Sequence, residues 1–185
     1  MKTSHIIASW LIVVGLVSAP LVFSDDDHER WGKHSRYSTG VAMVDNPMYQ
    51  DECGSCHMAY PPGLLPQRSW LKLMAGLDDH FGDNAELDNA NRQTITSFLV
   101  ENSADNSSYR RSRRFAESVK RDETPLRISE TAYFIHEHDE IPARLVTANK
   151  DVLSFSHCNA CHTRAEQGSF RERDIRIPGY GRWDD

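Results

Sequence analysis

Apolar residues recur at helical spacing in only a few stretches of this chain. Between Gln67 and Leu77, the residues Trp70, Leu73, Met74 and Leu77 fall on one face, and the spacing predicts a helix there. Gly82-Asp83-Asn84 punctuates the pattern, with Asp83 or Asn84 placed to cap a second helix running to about Val100. The apolar side of that helix is Leu87, Ile95, Phe98 and Leu99. A shorter helix is expected near Ser129 to Glu140, ending before Pro142, since a residue ahead of proline is pushed out of the helical region. Elsewhere the pattern breaks. Asn46-Pro47 interrupts the chain, and Tyr60-Pro61-Pro62-Gly63-Leu64-Leu65-Pro66 is an extended stretch that cannot be a helix interior. Asn102 to Ser108 reads as a polar linker dividing two lobes, 25–104 and 105–185. Ile175 to Asp185 reads as an irregular tail, and no strand pattern emerges. The expected fold is mainly α with much irregular structure.

The most apolar run lies at the N-terminus. Met1-Lys2 gives a short positive start, Ile6 to Val17 is apolar, and Val22-Phe23-Ser24 offers the small or aliphatic residues a signal peptidase reads. Residues 1–24 are therefore expected to be a signal peptide, cut after Ser24 to leave Asp25-Asp26-Asp27. A cut after Ala19 is disfavoured because Pro20 would follow it. An uncleaved anchor is the competing reading, but the run is short for a span of about 20 residues. Export places the protein in the bacterial periplasm or a similar compartment.

Composition adds two constraints. The mature chain is roughly 160 residues, one domain or two small lobes, and only 39% of the whole precursor is hydrophobic. That is thin for a core of this size, so bound apolar mass is needed. The formal charge of −6 argues against nucleic acid and for a basic or dipolar protein partner; the oligomeric state is not encoded in any pattern.

The cysteines supply the missing mass. All four sit in two copies of one motif, Cys53-Gly54-Ser55-Cys56-His57 and Cys158-Asn159-Ala160-Cys161-His162. Cys-x-x-Cys-His is the attachment signature of a c-type haem. Two intervening residues let both thiols reach the vinyl groups of one porphyrin edge, and the adjacent histidine falls beneath the iron as proximal ligand. A redox disulfide or half a zinc site also uses Cys-x-x-Cys. Neither explains the histidine after each pair, and the halves lie about a hundred residues apart, far for a zinc finger. Two covalently bound haem c groups are expected, held by Cys53 and Cys56 and by Cys158 and Cys161. Without them the chain is not expected to fold.

His57 and His162 are then the proximal ligands, and the opposite ligands set the function: a second histidine closes the iron, a methionine raises its potential, an empty position admits substrate or gas. The candidates are His28, His34, His80, His136, His138 and His157, with Met43, Met48 and Met74. His80 is favoured for the first iron, at the end of a helix and beside Phe81. His136 and His138 compete for the second, because two residues of one helix differ by roughly 200° and face opposite ways. His138 is preferred, four residues after Phe134 and just ahead of a proline turn; His136 is the alternative. His157 abuts Cys158 and is expected to be exposed, His28 and His34 to be solvated. Met74 completes a helix stripe, and Met58 lies on the wrong side of His57. Local pairing closes shorter loops than crossed pairing, so His80 goes with His57 and His138 with His162. The run Arg110, Arg111, Arg113, Arg114 is either a solvated helix start, a docking patch or a clamp on haem propionates.

Several blocks resemble the bacterial di-haem cytochrome c family: Glu52 to His57, Pro62 to Pro66, Trp70 with Met74 to Ala85, Tyr133-Phe134 with His138 to Pro142, and the second motif with Ala165 to Gly168. The resemblance implies a small periplasmic electron carrier with both haems bis-histidine ligated. It implies a membrane-bound cytochrome b on the quinol side and a small soluble monohaem cytochrome c as partners. Carried over residue by residue, it supports His57 with His80 and His162 with His138, while His136 departs from the pattern as a rival ligand. The competing function is a di-haem enzyme of peroxidase type, which needs one open or labile distal site with an acid–base group such as His136 or Glu137 beside it.

Overall fold

The computed structural model describes residues 40–183, so the signal segment, His28 and His34 lie outside the described residues. Six α-helices and a small β-hairpin, with short 3₁₀ turns in the connections, make up the regular structure there: α1 (Pro47–Cys53), α2 (Gln67–Ala75), α3 (Asn89–Glu101), α4 (Arg110–Ser118), α5 (Ala132–His138), α6 (Cys158–Cys161), β1 (Arg176–Ile177) and β2 (Gly181–Arg182). None of these helices is long and apolar enough to cross a membrane.

Three of the helix starts are capped by a local side chain. In α1, Asn46 Oδ1 accepts from the Tyr49 amide at 2.9 Å and Pro47 opens the first turn. In α5, Thr131 Oγ1 accepts from the Phe134 amide at 3.3 Å. The expected α2 stripe is present, with Trp70 and Met74 buried, Leu73 half-buried and Leu77 carried into the next turn. The third helix starts later than its spacing suggests. Asp88, not Asp83 or Asn84, caps it, accepting from the amides of Ala90 and Asn91. The earlier residues are held otherwise: Asn84 Oδ1 accepts from the Glu86 amide at 2.8 Å, and Asp83 closes a turn with His80. Leu87 packs on the core from outside the helix.

Two apolar clusters organise the packing. One gathers Tyr49, Trp70, Met74, Ile95 and Leu99, from α1, α2 and α3, around Leu65. The other gathers Val41, Leu64, Ala104, Phe115 and Phe134. The buried strip 61–66 runs between them, with Leu64 on one side and Leu65 on the other. Trp70 Nε1 donates to Pro62 O at 2.8 Å and locks α2 onto the strip. Gly63 is required for the contact with α4, because a Cβ there would clash with Ser112 Oγ.

Two expectations change. The segment 102–108 is packed rather than free, since Ser103 and Ala104 are buried and the Ala104 amide donates to Leu65 O at 2.9 Å. A cut after 104 would divide the second cluster. The tail also contains a hairpin, pairing Arg176 with Arg182 and Ile177 with Gly181 around left-handed Gly179 and Gly181. Strands of two residues are too short to show alternation in sequence.

Candidate functional site

The geometry that matters is two pairs of facing histidines. The His57 and His80 rings have their centres 6.3 Å apart; the His138 and His162 rings, 6.1 Å. Two imidazoles bound to one ion at ~2.0–2.1 Å each, with about 1.1 Å from nitrogen to ring centre, stand about 6 Å apart. Both pairs therefore have the separation that one shared metal ion needs. Each contains the histidine of an attachment motif and a histidine from elsewhere in the chain.

His57 follows the end of α1, where Cys53 closes the last turn. Its Nδ1 lies 2.8 Å from Met58 O. A carbonyl only accepts, so Nδ1 carries the proton and Nε2 keeps its lone pair. His80 sits in a tight turn: its amide donates to Asp83 O at 2.7 Å, and the Gly82 amide donates to Asp79 Oδ1 at 3.0 Å. Phe81 takes a left-handed φ of 61° within that turn, the strained conformation that wraps the chain around His80. Its ring meets His80 edge-on at 4.9 Å, with the Arg127 guanidinium 3.7 Å above its face.

The second pair is more enclosed. His138 ends α5, its ring stacked on Phe134 at 3.9 Å and its Nδ1–H donating to Phe134 O at 2.8 Å. Phe155 meets it edge-on at 5.8 Å, and Phe170 lies 5.2 Å from His162. His162 follows α6, its amide donating to Cys158 O at 2.8 Å. The pair and both motif cysteines line a cavity of about 470 Å³ walled by aromatic and aliphatic side chains together with charged ones, within the ~300–1,000 Å³ typical of cofactor sites. Burial, then His138 and Arg111, pull the His162 ring down to about 4. Burial also pulls His138 down, and both are neutral imidazoles at pH 7, the form that binds a metal.

The thiols argue against disulfide exchange. All four are free, and burial pushes Cys53 and Cys158 up to about 11. Reactive dithiols have depressed values instead. Nor, among the described residues, does any cluster of three or more His, Cys, Asp or Glu stand ready for an ion, as a structural zinc site requires.

The other candidates are placed as follows. His136 is exposed, on the opposite face of α5 from His138. His157 is not exposed as expected: it is half-buried and donates from Nδ1 to Val152 O at 2.6 Å. Met74 and Met58 are buried, Met48 packs against the first cluster, and Met43 is exposed. One residue escaped the sequence reading. Tyr60 stacks on His57 at 4.6 Å, 20° from parallel, and its hydroxyl donates to Ser156 O at 2.8 Å, two residues before Cys158. It joins the two motifs directly. Its partner lies 96 residues away, so no local pattern pointed to it.

Residues 49–170 match the dihaem cytochrome c family. Among solved structures, a diheme cytochrome c from Shewanella baltica OS155 is 44% identical, with a TM-score of 0.62 over 74% of this chain and 96% of that one. A diheme cytochrome c from Rhodobacter sphaeroides is 46% identical, with a TM-score of 0.63 over 70% of this chain and all of that one. No curated protein matches the chain closely. A match spanning most of the described residues, at this identity and with both attachment motifs inside it, means that the chain belongs to the dihaem cytochrome c family, mainly α proteins of electron transfer that carry two haem c groups.

Proposed function

We propose that His57 and His80 hold the iron of the N-terminal haem, that His162 and His138 hold the iron of the C-terminal haem, and that the protein carries electrons in the periplasm. It takes them from a membrane-bound cytochrome b on the quinol side and passes them to a small soluble monohaem cytochrome c. The observation that carries this reading is the pair of ring separations, 6.3 and 6.1 Å, each leaving room for one ion and no exogenous ligand. When bound, each haem supplies a one-electron Fe(III)/Fe(II) couple.

The protein's own residues do the rest. Nδ1–H donation from His57 and His138 to backbone carbonyls fixes the ring orientation and raises the basicity of the ligating nitrogen. The turn around His80 and the stack on Phe134 fix the opposite ligands, so that little rearrangement accompanies electron transfer. Tyr60 offers a short route of packed atoms and one hydrogen bond between the halves. Export is supported by the apolar N-terminal run, and the formal charge of −6 suits docking on partners that present positive charge.

The test is stopped-flow mixing of the reduced holoprotein with a small monohaem cytochrome c, beside its reduction by quinol in vesicles carrying a cytochrome b. Rapid electron transfer with each partner, slowing as salt is added, is expected. Steady turnover of hydrogen peroxide with neither partner reacting would favour an enzyme instead.

A further inference from the structure

The two sites differ in burial and in charge, and both differences act in the same direction. The C-terminal ring pair is enclosed by Phe134, Phe155 and Phe170, whereas Cys56 is exposed and His80 sits in a turn whose neighbours are exposed. A porphyrin iron with two neutral imidazoles carries one net positive charge when ferric and none when ferrous. Burial penalises the charged form and so raises the potential. The charged side chains lining the C-terminal cavity are Arg110, Arg111, Arg114 and Arg171 with Glu137 and Glu172. Those lining the cleft at His80 are Lys72, Asp78 and Asp79. Arg127 also stands near His80, but it is exposed and paired with Glu130 at 3.7 Å; Arg110 and Arg114 are exposed too, so solvent screens all three and the half-buried Arg111 and Arg171 carry the difference.

Arg111 is the cation of the 110–114 run that is turned inward. Its side chain is 22% exposed, and the guanidinium is held by Tyr133 Oη at 3.2 Å, Phe170 O at 3.3 Å and Glu137 Oε2 at 3.4 Å. Its Nε is buried and has no hydrogen-bond partner among the described residues. A haem propionate has the chemistry to satisfy it.

We propose that the C-terminal haem has the higher potential of the two, and that Arg111 is the positioning residue that keeps it there. The first electron to enter the oxidised protein then rests on the C-terminal haem. This rests on the axial pairs proposed above. Arg111 acts by disfavouring the ferric charge and by offsetting propionate charge, and both effects have the same sign. Glu137, its ion-pair partner, opposes it.

The experiment is a redox titration of the holoprotein followed by paramagnetic NMR, with the C-terminal haem resonances identified by their contacts to Phe134 and Phe155. The C-terminal haem is expected to be reduced first. Arg111→Gln should shift the electron's partition away from that haem about tenfold, about 59 mV for a one-electron couple, with the N-terminal haem unmoved. Arg111→Lys should keep most of the wild-type value, and Glu137→Gln should shift it the opposite way. If Arg111→Gln fails to fold, Glu137→Gln decides alone: a rise at the C-terminal haem supports the proposal, and no change or a fall overturns it. Reduction of the N-terminal haem first, or equal shifts at both haems, also overturns it. Failure of the axial assignment is distinguishable, because His138→Gly would then leave both oxidised haems low-spin.

Discussion

Replacing His138 with glycine should open the C-terminal iron, and replacing His136 should not. Both histidines lie on α5, two positions apart, so they cannot face the same way. His138 stacks on Phe134 and faces His162 across 6.1 Å, while His136 is exposed. Reduced His138→Gly protein is therefore expected to bind about one equivalent of carbon monoxide where the parent binds none, and its oxidised form to gain one high-spin haem. His136→Gly should match the parent in both spectra. The converse result, an opened iron in the His136 variant alone, would reverse the assignment.

Changing Cys158 and Cys161 together to serine should cost the protein the fold of its C-terminal half as well as one haem. The site is a cavity of about 470 Å³. At about 24 cal/mol per Å³ an unfilled space of that size costs up to about 11 kcal/mol, less where it meets solvent. That is as large as the whole stability of an ordinary domain, about 5–15 kcal/mol. The second apolar cluster abuts this cavity through Phe115 and Phe134 and cannot close over it. Haem content should fall from two to about one per chain, and proteases should cut beyond α4 where the parent resists. A one-haem variant melting at the parent's temperature would contradict the idea that haem replaces the missing core.

The chemistry was far more legible in the sequence than the packing. Both attachment motifs are contiguous, because thioether attachment and proximal ligation demand three residues within five positions. The α2 stripe was legible because a buried face repeats at helical spacing. The start of α3 was not: Asp83, Asn84 and Asp88 are equally good caps by type, and only the turn that wraps His80 decides among them. His80 and His138 are favoured by their settings and by the family resemblance, with His136 left open as a rival, and the structure sets each opposite a motif histidine. Nothing local marks Arg111 as the inward member of its run, since Tyr133, Glu137 and Phe170 hold it from later parts of the chain. Tyr60 is the same kind of case, because its role exists only once Ser156 has been brought beside it.

The most direct measurement is the optical spectrum of the dithionite-reduced holoprotein before and after carbon monoxide is added. Two irons closed by paired histidines predict an unchanged spectrum at both haems. A shift at either haem would mean that its iron has an open or labile site, and the closed electron carrier would give way to a gas-binding or peroxidase-type protein.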